Sequence, residues 1–91
     1  MQVKYFAYIR DFTKCKECIE EYKPTIKELL HSLSDKYGEQ FRNEALTPDG
    51  DDLGERIIIL VNGRHVAHLD GINTKISDTD IVQVFPVVAG G

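Results

Sequence analysis

Three groups of residues in this 91-residue chain could do chemistry on something else. The first is Gly90-Gly91, which closes the segment Val84-Phe85-Pro86-Val87-Val88-Ala89-Gly90-Gly91. Two terminal glycines make poor structural material, because glycine loses more backbone entropy on ordering than any other residue. They pass easily through a narrow channel, and the α-carboxylate of Gly91 is what arrives at its end. An α-carboxyl has a pKa of about 3.3–3.7, so at neutral pH it is an anion and a poor electrophile. A partner must therefore activate it, after which the unhindered glycyl carbonyl is open to a nucleophile. The second group is Cys15-Lys16-Glu17-Cys18, a spacing that serves half a zinc site or a redox pair. The third is His65-Val66-Ala67-His68, which could complete such a zinc site.

The second and third groups weaken on inspection. If Arg64–His68 is a strand, residues three apart point to opposite faces, and His65 and His68 do not share a metal. No metal site is expected. A disulfide scaffold would carry more cysteines and a secretion signal. The cysteine pair is therefore read as having no essential role, with a disulfide or a thiol near a partner as minor alternatives. His31 falls off the apolar stripe of its helix and reads as a solvated surface residue. The acidic run Asp49–Glu55 lacks the full twelve-residue ligand pattern of a calcium loop and reads as a solvated turn.

The elements that position the C-terminal carboxylate can be read from periodicity. Residues 2–9 read as a strand, with Val3, Tyr5, Ala7 and Ile9 on one face and Lys4, Phe6 and Tyr8 on the other. A connector through 10–16 leads to a second strand near 18–23, forming a hairpin. Thr25 with Glu28 has the spacing of a capping box. Ile26, Leu29, Leu30, Leu33 and Tyr37 then form one stripe of an amphipathic helix, with Gly38 as its C-terminal cap. Residues 40–46 read as a short helix and 47–54 as a turn-rich loop with some order of its own. Residues 57–61 form a strand, Asn62-Gly63 a hairpin turn and 64–68 the return strand. After a connector and a turn at 77–80, residues 81–85 form the last strand, ended by Pro86. The order β-β-α-β-β-β around one main helix is an α+β sandwich, a β-grasp (ubiquitin-like) fold. The first and last strands should lie together in the middle of a mixed sheet of about five strands. The body is expected over residues 1–85, with 86–91 as an extended tail.

The net charge of −4 argues against nucleic acid, which needs a clustered positive surface, and fits docking on a more basic partner. The strongest apolar run, Ile57–Val61, is too short to span a bilayer. The N-terminus lacks the pattern of a signal peptide, so a cytoplasmic protein with no membrane partner is expected.

Several segments together resemble the MoaD/ThiS-type ubiquitin-like sulfur carriers, and are most similar to the molybdopterin synthase small subunit. They are Val3-Lys4-Tyr5-Phe6-Ala7-Tyr8-Ile9-Arg10, Thr25-Ile26-Lys27-Glu28-Leu29-Leu30, Val61-Asn62-Gly63, Ile76-Ser77-Asp78-Thr79-Asp80-Ile81-Val82, and Phe85 through Gly91. Val87 stands where the family tail often has a second proline, and the Cys-x-x-Cys is not a family feature. The resemblance implies that Gly91 is adenylated by an E1-like enzyme of the MoeB/ThiF type, which uses ATP. The product becomes a thiocarboxylate and donates sulfur to a pterin precursor in a large subunit of the MoaE type. The dithiolene formed there binds molybdenum or tungsten. The chain itself would bind no cofactor and would act as co-substrate, not catalyst. Pro86, Val87, Val88, Ala89 and Gly90 would thread into the partners, and Phe6, Phe85 and Arg10 would form the docking patch. The alternatives are a ubiquitin-like modifier joined to lysines, a sulfur carrier for thiamine, cysteine or tRNA thiolation, and an interaction module with an inert tail.

Overall fold

Alternating apolar and polar side chains build a five-stranded mixed sheet, seen in a computed structural model of the chain that describes residues 1–87. The strands are β1 (Gln2–Tyr5), β2 (Glu17–Ile19), β3 (Ile57–Val61), β4 (Arg64–His65) and β5 (Ile81–Pro86). Their order is β2-β1-β5-β3-β4. β1 and β5 run parallel, and the other neighbours pair antiparallel. The first and last strands are therefore adjacent and β5 is central, as the sequence implies.

One helix covers the inner face of the sheet. In α2 (Ile26–Tyr37), the Thr25 hydroxyl accepts from the Glu28 N–H at 3.2 Å, which satisfies a donor that the first turn leaves without a partner. Ile26, Leu29, Leu30 and Leu33 are buried as one stripe, each contributing about 1.5–3 kcal/mol. They meet Val3, Tyr5, Ile59, Val82 and Val84, all at 0% exposure, from the sheet's inner face. A second helix, α3 (Glu39–Ala45), adds Phe41 and Ala45 to this core.

The segment after α3 is ordered by close backbone approach. The Gly54 N–H donates to Ala45 O at 2.9 Å. A Cβ at Gly54 would sit 2.1 Å from the Glu44 carbonyl oxygen, so only glycine fits. The Asn62-Gly63 turn has φ of 51° and 84°, the pair that a two-residue hairpin of the primed type requires.

Three strands are shorter than their sequence patterns suggest. β1 stops at Tyr5 because Ala7 takes a left-handed φ of 53°, and the chain then enters a short helix α1 (Ile9–Thr13). Ile9 is still buried, now from a helix. β2 ends at Ile19, and the Glu20 N–H to Met1 O bond, 2.7 Å, is the last rung available to it. The return strand at 64–68 lasts two residues, and Val66–His68 form a 3₁₀ turn. Its start is fixed by the His65 Nδ1, which accepts from the Ala67 N–H at 2.9 Å.

Candidate functional site

The outer face of the sheet presents an aromatic stack with a cation beside it. Phe85 follows the inward Val84 and so points outward. The Phe6 N–H donates to Val84 O at 3.1 Å, continuing the β1–β5 ladder by one residue. The Phe6 and Phe85 rings lie 4.1 Å apart between centroids and 7° from parallel. The Arg10 guanidinium sits 5.5 Å from the Phe6 centroid, on its π-face. Its Nε–H donates to Tyr5 O at 2.7 Å, which fixes the arginine where α1 meets the sheet. The structure thus brings together Phe6, Arg10 and Phe85. Both phenylalanines are half-buried rather than part of the core.

Tyr8 does not join them. The turn at Ala7 takes it off the sheet, where its ring packs edge-on against Phe12 and its hydroxyl donates to Glu44 at 3.2 Å. Sequence reasoning also missed two members of the patch. Ile58 is paired opposite Phe85 and Leu60 opposite Gln83, and both are half-buried on the outer face. Strand alternation inside Ile57–Val61 carries this signal, but with all five residues apolar no polar side chain marks which face is outward.

Beside the stack is a hollow of about 390 Å³ lined by Lys4, Phe6, Arg10, Lys16, Glu17 and Gln83. Three of these are cations and one is an anion, with Lys4 paired to Glu17 at 3.3 Å. The chain's acidic surplus lies elsewhere, so the net charge of −4 misrepresents this face.

The root of the tail is held more firmly than a strand ending at Phe85 implies. Pro86 is buried and paired with Ile57 in the ladder. The Val87 N–H donates to Arg56 O at 2.8 Å. Val87 itself is 43% exposed. Val88, Ala89, Gly90 and Gly91, which carry the rest of the predicted tail, lie outside the described residues.

The other candidates resolve differently. Cys15 and Cys18 form a disulfide across a Cα separation of 6.3 Å, the option ranked as minor from sequence. His65 and His68 are not on opposite faces of a strand, and their rings lie 5.9 Å apart. A joint site with the cysteines is still excluded, because β2 and β4 are the two edges of the sheet. Four strand spacings separate them, about 19 Å. Among the described residues no three His, Cys, Asp or Glu side chains come together to hold a metal. His31 is half-buried rather than solvated, its Nε2 lying 2.8 Å from Gly50 O.

A buried carboxylate, invisible in the sequence, ties β2 to α2. Glu20 accepts from the Tyr5 and Tyr37 hydroxyls, each at 2.6 Å, and from Lys36 Nζ at 2.5 Å. Burial pushes its pKa up, but the hydrogen bonds from Lys36, Tyr37 and Tyr5 outweigh this and hold it below the ordinary value. Burial and the bond to Glu20 push both tyrosines up.

The model of the ThiS family matches residues 3–91, which includes all of the sheet but Gln2, and the terminal glycines. The chain belongs to the ThiS family. These are small ubiquitin-like proteins of the sulfur carrier and modifier type, with the β-grasp fold described above. The chain is 34% identical to small archaeal modifier protein 3 of Haloferax volcanii, over 100% of its own length and 98% of that protein's. It is 37% identical to a protein of Archaeoglobus fulgidus provisionally named a sulfur carrier, covering 80% of this chain and 81% of that one. Among solved structures, it is similar to a Pyrococcus furiosus protein provisionally described as molybdopterin converting factor subunit 1. That match has a TM-score of 0.71 and 30% identity over 96% of this chain and 95% of the other. Among the described residues no helix is long and apolar enough to cross a membrane.

Proposed function

We propose that this ThiS-family protein is a sulfur carrier that acts through the carboxylate of Gly91. The observation that carries this reading is the family match, which extends through residue 91. In this mechanism an E1-like enzyme of the MoeB/ThiF type uses ATP to convert the carboxylate to an acyl-adenylate. A sulfur nucleophile then displaces AMP and leaves a thiocarboxylate. The carrier contributes no base, oxyanion hole or metal of its own. Its part is presentation: beyond Val87, whose N–H still bonds to Arg56 O, four more residues lead to the carboxylate, and four residues span at most about 13–14 Å. Gly90 gives steric clearance and Gly91 the reactive group. The outer-face stack of Phe6 and Phe85, with Arg10, is the surface that the enzymes hold. Half-exposed aromatics with neighbouring apolar residues are the usual anchors of such contacts.

The acceptor we favour is a pterin precursor bound by a MoaE-type large subunit, giving the molybdenum or tungsten cofactor dithiolene. The likeness to the Pyrococcus furiosus protein supports this choice. A second reading, conjugation of Gly91 to lysines, is favoured by the full-length likeness to the Haloferax volcanii modifier. Both readings need the same free carboxylate. Appending one alanine after Gly91, or deleting Gly91, should abolish adenylation by the activating enzyme, read as ATP–pyrophosphate exchange. Full exchange with either variant would remove Gly91 from the mechanism.

A further inference from the structure

The disulfide loop forms one wall of the docking hollow. Lys16 and Glu17, the two residues between the bonded cysteines, both line the hollow beside Phe6 and Arg10. The loop is laid against β1 by the Tyr5 N–H to Lys16 O bond, 2.8 Å, and by the pairing of Val3 with Cys18 and Lys4 with Glu17. At its other end the Thr13 hydroxyl accepts from the Cys15 N–H at 3.3 Å and donates to Cys15 O at 3.0 Å. Cys18 Sγ lies 3.9 Å from the Tyr37 hydroxyl, at the edge of the Glu20 network. Neither cysteine is fully buried, and Cys15 stands between Lys14 and Lys16, cations that favour a thiolate. An accessible disulfide thus fixes the position of two charged residues on the surface that partners are proposed to hold.

We propose that Cys15 and Cys18 form a thiol–disulfide exchange site that sets how strongly the outer face docks. The proposal rests on the reading of the Phe6–Phe85 face as the docking surface. The reaction partner is a dithiol of low molecular weight or on a protein. Its thiolate attacks one sulfur of the pair and breaks the S–S bond, giving a mixed disulfide. Its second thiolate resolves this, so the reductant leaves as a disulfide. The chain keeps two electrons and two protons as the Cys15 and Cys18 thiols. An incoming disulfide reverses the reaction. In the oxidised protein the four-residue ring holds Lys16 and Glu17 at the rim before a partner arrives. In the reduced protein the rim depends on a three-residue edge strand, and docking must then order it.

The test compares the oxidised protein, the dithiothreitol-reduced protein and a Cys15→Ser/Cys18→Ser double variant. Affinity for the activating enzyme is measured for each, with oxidised Phe85→Ala as a separate control. Reduction should add the mass of two hydrogens and weaken binding about tenfold, and the double variant should match the reduced protein. Amide exchange should rise at residues 15–19 while α2 keeps its protection. Weaker binding by Phe85→Ala, with no dependence on the cysteines, would overturn the exchange-site proposal alone. Unchanged binding by Phe85→Ala would overturn the docking face on which it rests. No mass gain under dithiothreitol, or loss of protection throughout the chain, would also overturn the proposal.

Discussion

The two faces of the sheet are made from the same strands in the same register, yet they differ in what they can be used for. The inner face, with Val3, Tyr5, Ile59, Val82 and Val84, is fully covered by α2 and α3. The outer face, with Lys4, Ile58, Leu60, Gln83 and Phe85, is half-covered, and among the described residues α2 and α3 lie on the other side of the sheet. Strand alternation alone separates them, so neighbours in sequence have opposite tasks: Val84 holds the body together and Phe85 offers a surface. The difference explains how a domain this small has room for the docking patch proposed above. One face supplies most of the burial that folding needs, which leaves the other largely free.

Truncation on each face should therefore have distinct effects. The largest is expected inside. Ile59→Ala should lower stability by about 2–5 kcal/mol in a urea titration, by removing fully buried methylenes and leaving a cavity. Molecules that remain folded should bind partners normally.

Glu20→Gln comes next, since Glu20 joins the inward Tyr5 to α2. Losing the charge-assisted bonds from the two tyrosines should cost about 1.5–3 kcal/mol. The bond from Lys36 also holds the carboxylate charged, but it is left out of this figure because the lysine side chain is 53% exposed and screened by solvent. The pH dependence gives a sharper test. Glu20 has a folded pKa below its unfolded value of about 4.3. Its contribution is thus complete above that value and is lost as pH falls through the folded one. Acid titration of stability should show this step in the native protein and lose it in Glu20→Gln.

The smallest effect on folding should come from the outer face. Phe85→Ala should weaken binding to the activating enzyme by about 2 kcal/mol, some thirtyfold. Its cost to stability should be smaller, about 0.5–1.5 kcal/mol for the stack with Phe6. Equal losses in both would erase the proposed division between the faces.

Much of this was legible because local signals agreed. Thr25 and Glu28 fix the start of α2, its apolar stripe fixes which side is buried, and Asn62-Gly63 fixes the hairpin. Phe6 and Phe85 could be placed together because β1 and β5 were expected to be neighbours. The failures share one feature, since each depends on a local conformation or a partner that residue type does not mark. Ala7 takes a left-handed φ without being glycine, so the end of β1 and the departure of Tyr8 were hidden. The ring nitrogen of His65 turns a strand pattern into a 3₁₀ turn. Glu20 looks like one of many surface acids until Tyr5, Tyr37 and Lys36 converge on it. The bond between Cys15 and Cys18 depends on how α1 returns the chain to the sheet edge, which the connector sequence did not indicate.

The central claim is that Gly91 carries sulfur. Intact mass spectrometry of the protein taken from its native cell tests it directly. The account predicts a population heavier by the replacement of one oxygen with sulfur, located by fragmentation at Gly91. A carboxylate end on every molecule, with Gly91 instead found in isopeptide linkage to lysines of other proteins, would contradict the carrier reading and leave the modifier.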